Sequence, residues 1–355
     1  MIPKKPGISA ALGLAAAVAL AAPASADEVA DFYKGKQITA ISGGGAGGGF
    51  SLAARILGLV IGKHIPGKPD WVVQAMPGAG GSRSIKYIVN AAAQDGTVIG
   101  VVLPPSILSP LLRPDVGYDS GKLRWIGSIT PMPTVFSVWH TAPVKSLEDA
   151  KKTPLVSGTS SKLSNGYLVP AFLNAVAGTK IKVISGYRGG DRQNNAMEKG
   201  EIHARASFFA SYKTTKPDWL RDNLITHIAY SGPRLPELKG VPHLMDLARN
   251  DAERRMVAFM QVGDSVGHGL FVSPSVPMAR VQALRKAFQD TVTDPEFLAE
   301  AEKRRQEVNP VKGEELDKLV ADAMETPKPV VAQFRKLVKL DEPGEGGKKK
   351  MKKKQ

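Results

Sequence analysis

Short strand-like runs alternate with longer runs of helical spacing along most of the chain. Residues 36–41 read as a strand, and Leu52, Ile56, Leu59 and Val60 give residues 51–61 a helical apolar face. Residues 71–75 form a second strand, residues 82–93 a second helix with Ser82 at the capping position, and residues 96–103 a third strand. This β-α-β-α-β order predicts a parallel sheet with covering helices. The middle repeats the theme, with strands over 155–159, 180–186, 203–210 and 224–231 and helices over 165–176 and 191–199. From Pro277 the pattern turns helical, over 277–291, 295–306, 313–324 and 327–340. Asp294, Pro295 and Glu296 make a strong helix start: a capping Asp, Pro at the first helical position, then an acid. The fold class is α/β, and 355 residues suggest two domains.

The two ends do not fit this pattern. Lys4 and Lys5 precede an apolar run over 8–22, and Ala24, Ser25 and Ala26 match a small-x-small cleavage site. Residues 1–26 therefore read as a cleaved signal peptide, with the mature chain starting near Asp27 and delivered to a bacterial periplasm. A retained anchor is the alternative, but the run is short for a span of ~20 residues. Residues 343–355 are a Gly/Glu/Lys tail that reads as a disordered, solvated extension. These ends change the meaning of the net charge of +15: two charges sit in the first 26 residues and five in the last 13, leaving +8 on the body. Whole-chain charge is thus weak support for a nucleic-acid binder, and none is expected as a partner. Cysteine is absent, which removes disulfides, thiolate metal sites and cysteine nucleophiles.

Candidate chemistry lies in two glycine turns. Residues 43–49 contain six glycines in seven positions, and Pro77 is followed by Gly78, Ala79, Gly80 and Gly81. Each turn follows a strand and opens a helix, so bare backbone N–H groups sit at a helix N-terminus, where anions bind without side chains. Tight packing alone is the competing explanation. Gly43, Gly45 and Gly48 match the dinucleotide fingerprint, but the second strand ends Gln74, Ala75, Met76 with no acid for a ribose. Export also argues against such cofactors, and none is expected. Gly58, Gly62 and Lys63 fall one residue short of a P-loop, and Gly49, Ser51 and Ala53 lack the last glycine of a nucleophile elbow. His64, His140, His203, His227, His243 and His268 form no metal-binding motif and read as surface or packing residues.

The order strand, glycine turn, "AARILGLVIGKHIPG", strand, "QAMPGAGGSRSIKYIVNAAAQDGTVIG" resembles the substrate-binding proteins of tripartite tricarboxylate transporters, the Bug-type periplasmic receptors. "GYRGG" over 186–190, "AMEKGEIHAR" over 196–205 and "LFVSPSVPMARVQALRKAF" over 270–288 extend the resemblance across 31–340. It implies a type II periplasmic-binding-protein (Venus flytrap) fold: two lobes, a hinge and a central cleft. Lobe one would hold 27–133 plus 266–342 and lobe two 134–265, with crossings near 125–135 and 268–273.

The resemblance also implies a function and a site. A small carboxylate would be captured and delivered to the large and small subunits of a membrane transporter by a monomer that is not an enzyme. The lobe-one turns would clamp a carboxylate through Gly47, Gly48, Gly49, Phe50 and Ser51 and through Gly78, Ala79, Gly80, Gly81 and Ser82, with Ser106 nearby. Lobe two would supply Thr159, Ser160, Tyr187, Arg188 and Gly189, with Phe208 and Ser211 on the wall. Arg188 is the side chain expected to pair with a second anionic group. Family members commonly have Asp where this chain has Ser51; Ser can still cap a helix, and the lost charge favours anionic ligands. A sensory receptor of the same fold, or an exported hydrolase, are the alternatives.

Overall fold

The computed structural model describes residues 24–342 apart from Arg188. The export segment up to residue 23, the lysine-rich tail and Arg188 therefore lie outside the described residues. The strands are β1 Gln37–Ser42, β2 Asp70–Ala75, β3 Val98–Val101, β4 Arg124–Ser128, β5 Thr134–Trp139, β6 Leu155–Thr159, β7 Ile181–Ser185, β8 Ala204–Phe208, β9 Ile225–Ser231, β10 Gly269–Val272 and β11 Val311–Lys312. They form two sheets, ordered β11-β4-β10-β3-β1-β2 and β7-β6-β8-β5-β9. Helices cover both. The predicted strands and helices recur with shifts of a few residues at their ends.

The parallel βαβ units read from the pattern are present, and each sheet also carries antiparallel strands. β1 runs parallel to β2 and β3, and β6 to β7 and β8. β10 is antiparallel to β3 and β4, and β5 to β8 and β9. The cause is the chain path: β5 and β10 are the strands by which the chain enters each sheet from the other, so they run against its βαβ units.

The chain passes between the sheets at residues 129–133 and 267–268, and these two segments touch. Ile129 N donates to His268 O (3.3 Å) and His268 N to Thr130 O (3.0 Å). Gly267 has φ 53° and ψ −123°, and a Cβ there would lie 2.1 Å from Thr130 O.

Beside the crossings is a buried polar knot. Asp264, at the end of helix Asp251–Val266, accepts hydrogen bonds from Thr134 Oγ1 (2.8 Å), Asn165 Nδ2 (2.9 Å) and Ser231 Oγ (2.6 Å). All three donors are neutral, so burial dominates and pushes its pKa up to about 7. The native state then keeps a proton that the unfolded chain releases near pH ~4. Stability from this group is full at low pH and falls as pH rises from about 4 to about 7. Urea midpoints measured across that range should show Asp264→Asn gaining on wild type as pH rises; parallel curves for the two proteins would remove Asp264 as the cause.

The C-terminal segment binds both halves. Helix Lys328–Leu337 buries Val331 and Phe334, with Phe334 edge-on to Phe259 at 5.4 Å. Arg335 donates to Leu112 O, while Tyr167 Oη donates to Val338 O (3.0 Å) and Lys162 Nζ to Lys339 O (3.1 Å).

Candidate ligand-binding site

The first glycine turn closes on itself. Gly43 N donates to Val101 O (3.1 Å), Gly48 N to Gly45 O (3.0 Å) and Ser51 Oγ to Gly45 O (2.9 Å). Ser51 is fully buried, and Gly48 occupies the cap position of helix Gly49–Gly58 with no side-chain cap. This corrects the expectation that Ser51 caps the helix: its hydroxyl is committed to the turn, which it shapes.

The second turn follows β2. Ala79, Gly80 and Gly81 all take positive φ, at 49°, 67° and 98°. Gly81 occupies the cap position of helix Ser82–Asn90, again with no side-chain cap. Ser82 therefore does not cap, contrary to expectation. Its Oγ lies 2.9 Å from Tyr118 Oη, which donates its proton to Ser106 O (2.6 Å) and can accept from the Ser82 hydroxyl. Ser106 is itself buried and donates to Leu103 O (2.6 Å). Burial pushes the Tyr118 pKa up to about 12, so it stays a neutral pin joining these loops. The turns also meet directly: a Cβ on Gly43 would sit 3.3 Å from Gly81 Cα. Sequence reasoning missed Tyr118, because only the fold brings it to Ser82.

Lobe two repeats the arrangement. Gly186 N and Tyr187 N both donate to Thr159 O (3.0 and 3.2 Å), joining the turns after β6 and β7. Thr159 is buried and its Oγ1 is 2.7 Å from Ser164 Oγ, whereas Ser160 is exposed. Helix Asn165–Ala177 begins after Ser164 and helix Gly190–Glu198 after Gly189, both without a side-chain cap. Below the second of these lies Arg205, 7% exposed. Sequence reasoning missed it as a site residue, because it sits within a strand and outside any motif. It donates to Gly190 O (2.9 Å), Asn194 Oδ1 and Ser207 Oγ (3.0 Å), and no carboxylate pairs with it among the described residues. Burial pushes its pKa down, opposed by the nearby Tyr212 hydroxyl and by the Asp191 carboxylate in the first turn of the helix above.

Four helix N-termini thus stand at the carboxyl edges of β1, β2, β6 and β7 without side-chain caps. Elsewhere Ser146, Asn250 and Asp294 cap their helices with side-chain acceptors, Asp294 as predicted, whereas helices Met278–Val292, Gly313–Met324 and Lys328–Leu337 also lack side-chain caps, so it is the place of the four at strand ends that sets them apart. Uncapped first-turn N–H groups are donors without intrahelical partners and favour an anion.

The lobes meet through aromatic rings and leave a solvent-open cleft between them. Phe50 lies edge-on to Phe208 (5.7 Å) and His268 (4.8 Å). A cavity of about 300 Å³ opens between Ala79 and Arg113 on one side and Ser161 and Lys162 on the other, beneath Arg335 and Asp341. Of the predicted residues, Ala79 lines it. Gly49 and Ser211 instead share a void of about 10 Å³ near the crossings. Ser161 and Lys162 were missed, although they directly follow Ser160. Among the described residues no group of three or more His, Cys, Asp or Glu is placed to hold a metal, and no helix is long and apolar enough to cross a membrane.

The family model described as tripartite tricarboxylate transporter family receptor matches residues 63–335. That span includes the second glycine turn and both lobe-two turns but not the first. No curated protein matches the chain. Among solved structures, periplasmic binding protein BugD is 19% identical, covering 86% of this chain and 98% of its own with TM-score 0.67. A Rhodopseudomonas palustris protein with adipate is 17% identical, covering 86% and 97%, TM-score 0.64. MatC from the same organism, with bound malate, is 17% identical, covering 85% and 99%, TM-score 0.64. These likenesses show the two-lobed periplasmic-binding-protein fold.

Proposed function

Because the chain belongs to the tripartite tricarboxylate transporter receptor family, we propose that it captures a small carboxylate between its lobes in the periplasm and hands it to the large and small membrane subunits of such a transporter. The observation that carries this reading is the set of four uncapped helix N-termini, two per lobe, at the carboxyl edges of parallel strands. Such N–H groups hold a carboxylate by charge-assisted hydrogen bonds. Neighbours of the same fold carrying malate and adipate support the ligand class. Lobe one takes 27–133 plus 266–342 and lobe two 134–265, so closure bends the chain at the two touching crossings. Export ahead of Asp27 delivers the mature receptor to the periplasm.

Thermal melts of ligand-free protein with mono-, di- and tricarboxylates test this. A cognate acid at about a hundredfold excess over its Kd stabilises by about 2.7 kcal/mol, a rise of about 5 °C. Melting temperatures unmoved by every carboxylate would sink the reading.

A further inference from the structure

We infer that the lysine run at residues 348–354 is a membrane-adsorbing surface: it binds the anionic phospholipid headgroups of a bilayer and holds the receptor there by the rim of its cleft. The inference rests on the export reading and is independent of which acid the cleft takes. The run has six lysines in seven positions, broken only by Met351, and Glu345 is the one acid between it and the described residues. It lies beyond residues 63–335, so the family likeness does not account for it. A run of one charge with no aromatic or polar variety reads charge density rather than shape. That suits a surface of many equivalent phosphates, where each Lys multiplies binding by about fivefold. Export removes the chain from nucleic acid, which leaves anionic lipid as the dense polyanion it meets.

The place where the chain leaves the fold gives the run a use. Past helix Lys328–Leu337, Tyr167 Oη donates to Val338 O (3.0 Å) and Lys162 Nζ to the carbonyls of Lys339 (3.1 Å) and Glu342. Leu340 and Asp341 line the cleft. Lys348 follows Glu342 by six residues, so it stands within about 22 Å of the cleft rim. The last described residues do not cancel the charge. Arg335 is paired with Asp341, whereas Lys336 and Lys339 are exposed and meet no carboxylate among the described residues. Residues 335–355 hold nine cations against three acids.

Sedimentation of the mature chain with lipid vesicles tests this without any carboxylate ligand. Vesicles of phosphatidylcholine alone are compared with vesicles containing about one-third phosphatidylglycerol. At about 0.1 M salt, wild type should bind the anionic vesicles at least about a hundredfold tighter, and about 1 M salt should release it. Lys348→Gln, Lys349→Gln, Lys350→Gln, Lys352→Gln, Lys353→Gln and Lys354→Gln combined should abolish the preference and leave the melting temperature unchanged. Arg at the same six positions should retain it. Met351→Ser should alter it by less than about twofold, because charge rather than apolar insertion carries the binding. Equal binding to both vesicle types, a preference that survives the six Gln substitutions, or one that survives high salt would each overturn the inference. So would a chain that binds duplex DNA and leaves anionic vesicles untouched. None of these outcomes bears on the carboxylate reading, which the thermal melts decide separately.

Discussion

Gly80→Val should lower carboxylate affinity by about a hundredfold or more while the protein still melts cooperatively. A Cβ at Gly80 meets nothing within 4 Å, so the added side chain projects into open space beside the cradle. Its volume falls where a carboxylate would approach the turn. The backbone cost is separate and smaller: φ is 67°, and a β-branched residue held there costs about 1–3 kcal/mol. The neighbouring Gly81→Val behaves differently. A Cβ there would come 2.6 Å from Leu103 Cβ and 3.3 Å from Ser106 Oγ, so this change pushes loops apart and lowers stability. Calorimetry and melting curves on the pair distinguish the ligand surface from the packing surface of one turn. Wild-type affinity in Gly80→Val would detach the ligand from the turn.

Gly267→Ala should be the most destabilising small substitution in the hinge, costing about 3 kcal/mol or more. The added methyl would stand 2.1 Å from Thr130 O and 2.7 Å from Pro131 Cα, both backbone atoms that no rotamer change can move. The φ,ψ pair of 53° and −123° is also closed to residues with a Cβ. Because the two crossings touch here, the strain enters at the element that must bend. Denaturant melts read the loss, and an alanine variant as stable as wild type would mean the crossings separate freely.

The residues explain which features were legible in the sequence. β6 and helix Gly313–Met324 emerge with the boundaries read from the pattern, because Pro154 precedes the one and Gly313 opens the other before a stretch of helical apolar spacing. Strand direction does not appear in hydropathy, so the reversed course of β5 and β10 was not read, although a crossing was placed over 268–273 where β10 lies. Helix Asp251–Val266 was missed because charged residues crowd its first turns. Its start signal was present all the same: Asn250 Oδ1 accepts from Glu253 N (3.0 Å). Ser51 and Ser82 look like caps in the sequence, but Gly48, three residues before Ser51, and Gly81, directly before Ser82, hold the cap positions instead. The cavity pairing Ala79 with Lys162 and Arg335 joins residues distant in sequence, and only the docking of the C-terminal segment onto both lobes assembles it.

Backbone amides at the interlobe edges should recognise a carboxylate by its charge. Titration of ligand-free wild type with a carboxylic acid that raises its melting temperature, and with the primary amide of that acid, tests this most directly. The acid should bind one-to-one and its amide, which has the same shape without the charge, at least about a hundredfold more weakly. Equal affinity for acid and amide would contradict it.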